Sequence, residues 1–154
     1  MNRRGFSLIE LVVVVVIIGV ISMIAIPRMT RGASNAGAAS LRADLAVLRE
    51  AIELYRAEHD GLMPQVASFV SQMTSFSNLA GNSFDSQVNV GSRIVYGPYL
   101  QAIPAVPVGT KKGNAAVGPP AAAAAVGWVY DQSTGHIRTS SLGTDADGVD
   151  YFDY

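Results

Sequence analysis

The chain has 154 residues, eleven basic and twelve acidic side chains for a net charge of −1, and no cysteine. That length is one domain's worth of chain, the charge balance excludes an electrostatic footprint for nucleic acid, and the lack of cysteine excludes disulfide staples. Hydrophobic residues make up 49% of the chain, concentrated in an N-terminal run and in alanines.

The run begins after Met1-Asn2-Arg3-Arg4-Gly5. From Phe6 to Ile26, twenty-one residues, only Glu10 is charged. As a helix this segment rises roughly 31 Å, close to the roughly 30 Å hydrocarbon core of a bilayer. A helix apolar all round has no solvent face, so it enters a membrane, an oligomer core, or one after the other. A cleaved secretory signal would end in small residues, and Ala25-Ile26-Pro27-Arg28 fits that badly. Glu10 stands four residues into the apolar stretch, and an ionised group at membrane depth points to a function with a partner.

Gly5-Phe6-Ser7-Leu8-Ile9-Glu10, with Arg3 and Arg4 before it and the Val/Ile run after it, resembles the class III signal of type IV pilins and type II secretion pseudopilins. The resemblance implies that a prepilin peptidase cuts between Gly5 and Phe6 and methylates the new Phe6 amine, and that Glu10 is the carboxylate required for assembly. It further implies a pilin-like α+β fold, a long N-terminal helix packed on a small C-terminal antiparallel sheet with loops. Residues 1–5 are then a cleaved leader, 6–27 a single transmembrane and assembly helix, and 28–154 a periplasmic globular domain. Gly19 and Pro27 sit where that family tends to loosen the helix.

Beyond the apolar run, Pro27 is expected to kink or loosen the helix, and Met29 to Gly37 reads as a weak helical joint. Helical periodicity returns at Leu41, Leu45, Leu48, Ile52 and Tyr55, one narrow apolar seam flanked by charged faces. His59-Asp60-Gly61 stops the helix, and Pro64 forbids its resumption. His59 and His136, the only histidines, lack ligand-spaced partners and are expected in solvent. Gln65 to Leu79 reads as a second, shorter helix with Val66, Phe69, Val70, Met73 and Phe76 on one side. A polar loop follows over 80–91, then an extended segment, Ser92 to Ile103, interrupted at Gly97-Pro98. The segment Tyr99-Leu100-Gln101-Ala102-Ile103-Pro104 is similar to one that leads into the small sheet of major pseudopilins.

Residues 108–125 depart from that pattern. They are Gly/Pro/Ala-rich, with loop character, and the alanines after Pro119-Pro120 suffice for one helical turn. Gly127-Trp128-Val129-Tyr130 and Gly135-His136-Ile137-Arg138-Thr139 flank a short turn and read as a hairpin, packed on the Leu41–Tyr55 seam with Trp128 in its core.

The last stretch, Ser141 to Tyr154, carries Asp145, Asp147, Asp150 and Asp153. Asp-x-Asp-Gly turns two carboxylates toward one hard cation, and Ca²⁺ takes six to eight oxygens. No flanking helices or closing glutamate make it an EF-hand. Ser141-Leu142-Gly143 and Asp147-Gly148-Val149 resemble parts of the calcium loop of major pseudopilins, which implies carboxylates of Asp145, Asp147, Asp150 and Asp153 with carbonyls near Leu142 and Val149. The other reading is a solvated acidic segment with its aromatics tucked on the sheet.

No Ser/His/Asp, Cys/His or metal-histidine constellation is present, so the chain reads as a structural subunit and not an enzyme. The expected role is a type II secretion pseudopilus subunit of the bacterial inner membrane, assembling with itself, other pseudopilins and an inner-membrane platform. The alternatives are a type IV pilus subunit or a membrane-tethered binding module. Absence of cysteine favours the pseudopilus, because many pilins close a C-terminal loop with a disulfide.

Overall fold

The computed structural model describes residues 7–154, the side chains of Ile24 and of residues 26–31 excepted. One helix, α1 (Leu8–Glu58), runs for 51 residues, about 76 Å at 1.5 Å per residue. Its backbone stays helical through Pro27 and the 29–37 stretch, so the joint expected there is formed within the helix. A proline removes one ladder donor at a cost of about 3 kcal/mol. The turns before and after it are long helical runs, and the rod continues through. Its end is where the sequence places it. The His59 amide donates to the Tyr55 carbonyl at 2.9 Å and the Gly61 amide to Arg56 at 2.9 Å. Asp60 (φ 58°) and Gly61 (φ 81°) turn left-handed.

The seam Leu41, Leu45, Leu48, Ile52 and Tyr55 is fully buried, none of the five more than 1% exposed. It meets Phe69, Met73, Val106, Trp128, Tyr130, Ile137 and Tyr151 in one core. The hairpin forms as expected, β4 (Trp128–Asp131) antiparallel to β5 (His136–Thr139). Its turn closes by the Gly135 amide on the Asp131 carbonyl at 2.8 Å, with Gly135 at φ 77°. The 108–125 stretch contributes a strand, β3 (Val117–Gly118), which joins β4 in parallel, so this sheet is mixed. The prolines and alanines give one tight turn, Pro120–Ala122.

The segment 65–79 is shorter in helix than its periodicity suggests. A tight turn, Val66–Ser68, leads into α2 (Phe69–Thr74). Phe69 and Met73 enter the core while Val70 is exposed. The Met73 carbonyl accepts the amides of Tyr99 and Leu100, each at 2.9 Å, so the next turn of helix loses its acceptor to residues 99–100. The chain then extends into β1 (Phe76–Ser77), antiparallel to β2 (Phe84–Asp85) within the expected loop. Over 92–103 the extended chain makes only single bridges, Asn89 with Ile94 and Ser77 with Tyr96.

His59 is not in solvent. It is completely buried, stacked on Tyr55 with ring centroids 3.8 Å apart. Its Nδ1 donates to the Leu79 carbonyl at 2.8 Å, and Nε2 lies 3.1 Å from the Tyr99 hydroxyl and 3.3 Å from Ser77 Oγ. Because the Tyr99 hydroxyl donates to Glu58 Oε2 at 2.7 Å, Ser77 is left to donate to Nε2. Gln72, also buried, donates to the Tyr55 hydroxyl and the Gly81 carbonyl and accepts from the Gln65 amide. These bonds tie residues 65–81 and 99 to the last turns of α1. His136 lies exposed, as expected. The molecule is thus a mixed α+β body packed along the second half of a helix whose first half extends beyond it.

Candidate functional site

Two parts of the sequence carried functional expectations, the N-terminal helix and the acidic segment. In the first, Gly5 and Phe6 lie outside the described residues. Glu10 lies inside them, at the third position of α1. Its Oε2 accepts the Ser7 amide at 2.9 Å, the reciprocal half of a capping arrangement. A carboxylate there also complements the positive end of the helix dipole. In the isolated chain Glu10 therefore satisfies its own helix start.

From Leu8 to Met23 thirteen large apolar residues are exposed, between 45% at Val14 and 80% at Leu8. Burying such a side chain is worth about 1.5 kcal/mol or more. For thirteen of them that is roughly 20 kcal/mol, far above what a solvated helix recovers from its backbone. This half of α1 needs a non-aqueous surrounding. Over the described residues no helix is long and apolar enough to cross a membrane. The exposed large apolar side chains described run from Leu8 to Met23, about 23 Å of rise. The exposed Val, Ile and Leu surface of this half is suited to packing against other apolar helices.

The acidic segment folds into a loop that the structure closes from within. Asp145 is its centre, with a side chain only 3% exposed. Oδ1 accepts the amides of Asp147 and Val149, each at 2.9 Å. Oδ2 accepts Arg42 Nη2 at 3.0 Å and the Tyr154 hydroxyl. Arg42 also donates to the Tyr154 oxygen at 2.7 Å and lies over that ring, 4.3 Å from its centroid. The Tyr154 hydroxyl holds the Asp145 carboxyl below the usual carboxylate range, helped by the Val149 and Asp147 amides and by Arg42 against the opposing effect of burial. Burial, then the hydrogen bond to Asp145, pushes the Tyr154 phenol up to about 12.

The remaining candidates for calcium do not converge. Asp147, Asp150 and Asp153 are exposed, as are Leu142 and Val149. The Leu142 carbonyl accepts the Thr110 amide at 3.2 Å, and the Val149 carbonyl accepts the Asp145 amide at 2.9 Å. Among the described residues no group of three or more histidine, cysteine or acidic side chains is placed to hold a metal ion. In this arrangement the donor set does not fit Ca²⁺.

Sequence reasoning missed Arg42, Arg49 and Tyr154. Arg49 Nη2 donates to the Tyr154 carbonyl at 2.6 Å and to the Ile137 carbonyl at 3.4 Å. The signal was present but ambiguous. Arg42 and Arg49 lie seven apart, two helical turns, beside the buried seam, a placement shared by many solvated arginines.

The prokaryotic N-terminal methylation motif matches residues 1–26. No curated protein and no solved structure matches the chain. A motif of this type implies processing by a prepilin peptidase and assembly with related subunits, and suggests anchoring in the cell envelope. Residues 1–26 thus carry a signal of the type IV pilin and pseudopilin kind, set on a mixed α+β body whose long N-terminal helix is consistent with a pilin-like fold.

Proposed function

We propose that the chain is a structural subunit of a type II secretion pseudopilus that assembles through the first half of α1. The observation that carries this is the unbroken rod. A strongly apolar, exposed half-helix is continuous with a folded domain and lies within the matched methylation motif. Before assembly the segment 6–27 spans the inner membrane, with Arg3 and Arg4 held inside and residues 28–154 in the periplasm. A prepilin peptidase cuts between Gly5 and Phe6 and methylates the Phe6 amine.

On assembly, lateral packing of Val, Ile and Leu replaces lipid contacts with protein ones. The Phe6 amine of an incoming subunit pairs with Glu10 of its neighbour. A charge at the centre of a membrane helix costs roughly 2.5 to 3.5 kcal/mol, so the pair sets register more than it adds net stability. Head-to-tail contacts that do not close produce a filament. The subunit has no catalytic role in this reading. Its partners are other copies, other pseudopilins and an inner-membrane platform.

Lack of cysteine favours the secretion pseudopilus over a type IV pilus fibre. Deletion of the gene decides between them. Loss of exoprotein release with surface fibres intact is expected, and loss of surface fibres with normal secretion would assign the chain to a pilus.

A further inference from the structure

We propose that the loop 142–154 is closed on α1 by an internal cation, the Arg42 guanidinium, and that its closure is independent of divalent metal ions. An ionised carboxylate has about four acceptor positions, and Asp145 has four donors on them. The two oxygens have separate tasks. Oδ1 folds the turn 145–149 by taking two of its amides, with Gly148 at φ 84° completing the reversal. Oδ2 docks that turn onto the helix through Arg42 and Tyr154. A calcium ion at Asp145 would have to displace one of these pairs.

The charges also balance without a metal. Arg42 neutralises Asp145, the one acid of the loop withdrawn from water, and Tyr154 stays protonated. Asp147, Asp150 and Asp153 remain in solvent, where their mutual repulsion is screened. Arg42 stands on α1 next to the fully buried Leu41, and its guanidinium is held by the Asp145 carboxylate and by the Tyr154 hydroxyl and ring. A second clasp two turns on, Arg49 to the Tyr154 carbonyl, holds the end of the same loop. Arginine suits this position better than lysine, since its planar fork serves the carboxylate, the phenol oxygen and the ring face together.

The test is amide hydrogen exchange of the full chain in detergent micelles, with calcium chloride or chelator, for wild type and variants. Wild-type exchange over 143–154 should be the same in both buffers, and Asp147→Ala should not alter it. Arg42→Ala should raise exchange there at least tenfold while the amides of β4 and β5 stay protected, and Arg42→Lys should fall between. Tyr154→Phe leaves α1 unchanged and should raise exchange several-fold, which keeps the test decisive should Arg42→Ala fail to fold. Slowing of wild-type exchange by calcium, or unchanged exchange in Tyr154→Phe or in folded Arg42→Ala, would overturn the proposal.

Discussion

Arg42 and Asp145, 103 positions apart in the chain, meet at 3.0 Å and fasten the last loop of the domain to the helix that begins it. The pair is joined by Tyr154, so that one carboxylate is shared between a guanidinium, a phenol and two backbone amides. The arrangement holds the loop without a disulfide.

Its stability should depend on pH at both extremes. The Asp145 carboxyl is held low in the folded chain, so its contribution is complete above the unfolded value of about 3.9 and disappears as pH falls through the lower folded value. The Tyr154 phenol is raised to about 12, so its contribution is complete below the unfolded value of about 10 and disappears as pH rises toward 12. Exchange of the 143–154 amides, corrected for intrinsic rates, should be flat from about pH 5 to 9. Asp145→Asn should abolish the acid limb. A wild-type midpoint near neutrality would contradict this.

The seam and the outer face of α1 should respond differently to truncation. Leu48 is fully buried and Val47 is 48% exposed. Leu48→Ala should cost about 2–5 kcal/mol, whereas Val47→Ala should stay within about 0.5 kcal/mol. Denaturant titration of the full chain in detergent, followed by Trp128 fluorescence, reads both.

Gln72 tests the buried polar network beside the core. Gln72→Leu keeps the volume but leaves the Gln65 amide and the Gly81 carbonyl without their partner. A loss of about 1–3 kcal/mol is expected. Faster exchange at Gly81 and Asn82 should accompany it, since Gly81 packs against the Tyr55 hydroxyl so closely that a Cβ there would lie 1.9 Å from it. A neutral substitution would mean that water replaces the amide.

The parts of the fold legible in the sequence were those with a local period or a local turn. Leu41 to Tyr55 shows the helical repeat, and Trp128 to Thr139 shows β-forming residues around a turn ending in Gly135. Features set by distant partners were not legible. His59 carries no mark of burial, because Ser77, Leu79 and Tyr99 reach it from 18 to 40 positions away. Pro27 signals a local loosening, and the helix continues through it. At the acidic loop, the spacing of Asp145 and Asp147 suggested a metal, but the cation that meets Asp145 comes from α1. The methylation signal was legible because its parts are contiguous.

Glu10 should separate insertion from assembly. Glu10→Leu removes the carboxylate that accepts the Ser7 amide and the partner proposed for the Phe6 amine. Membrane fractionation should show the variant retained or enriched in the membrane, while sheared filament fractions lose it. Incorporation at the wild-type level would show that Glu10 has no part in register.

The most direct test of assembly through a processed N-terminus is intact-mass analysis of subunits recovered from purified filaments. The predicted mass corresponds to a chain beginning at Phe6 with one added methyl group, and Gly5→Leu should leave unprocessed protein in the membrane and none in filaments. Filament subunits that retain Met1 to Gly5 would contradict the account.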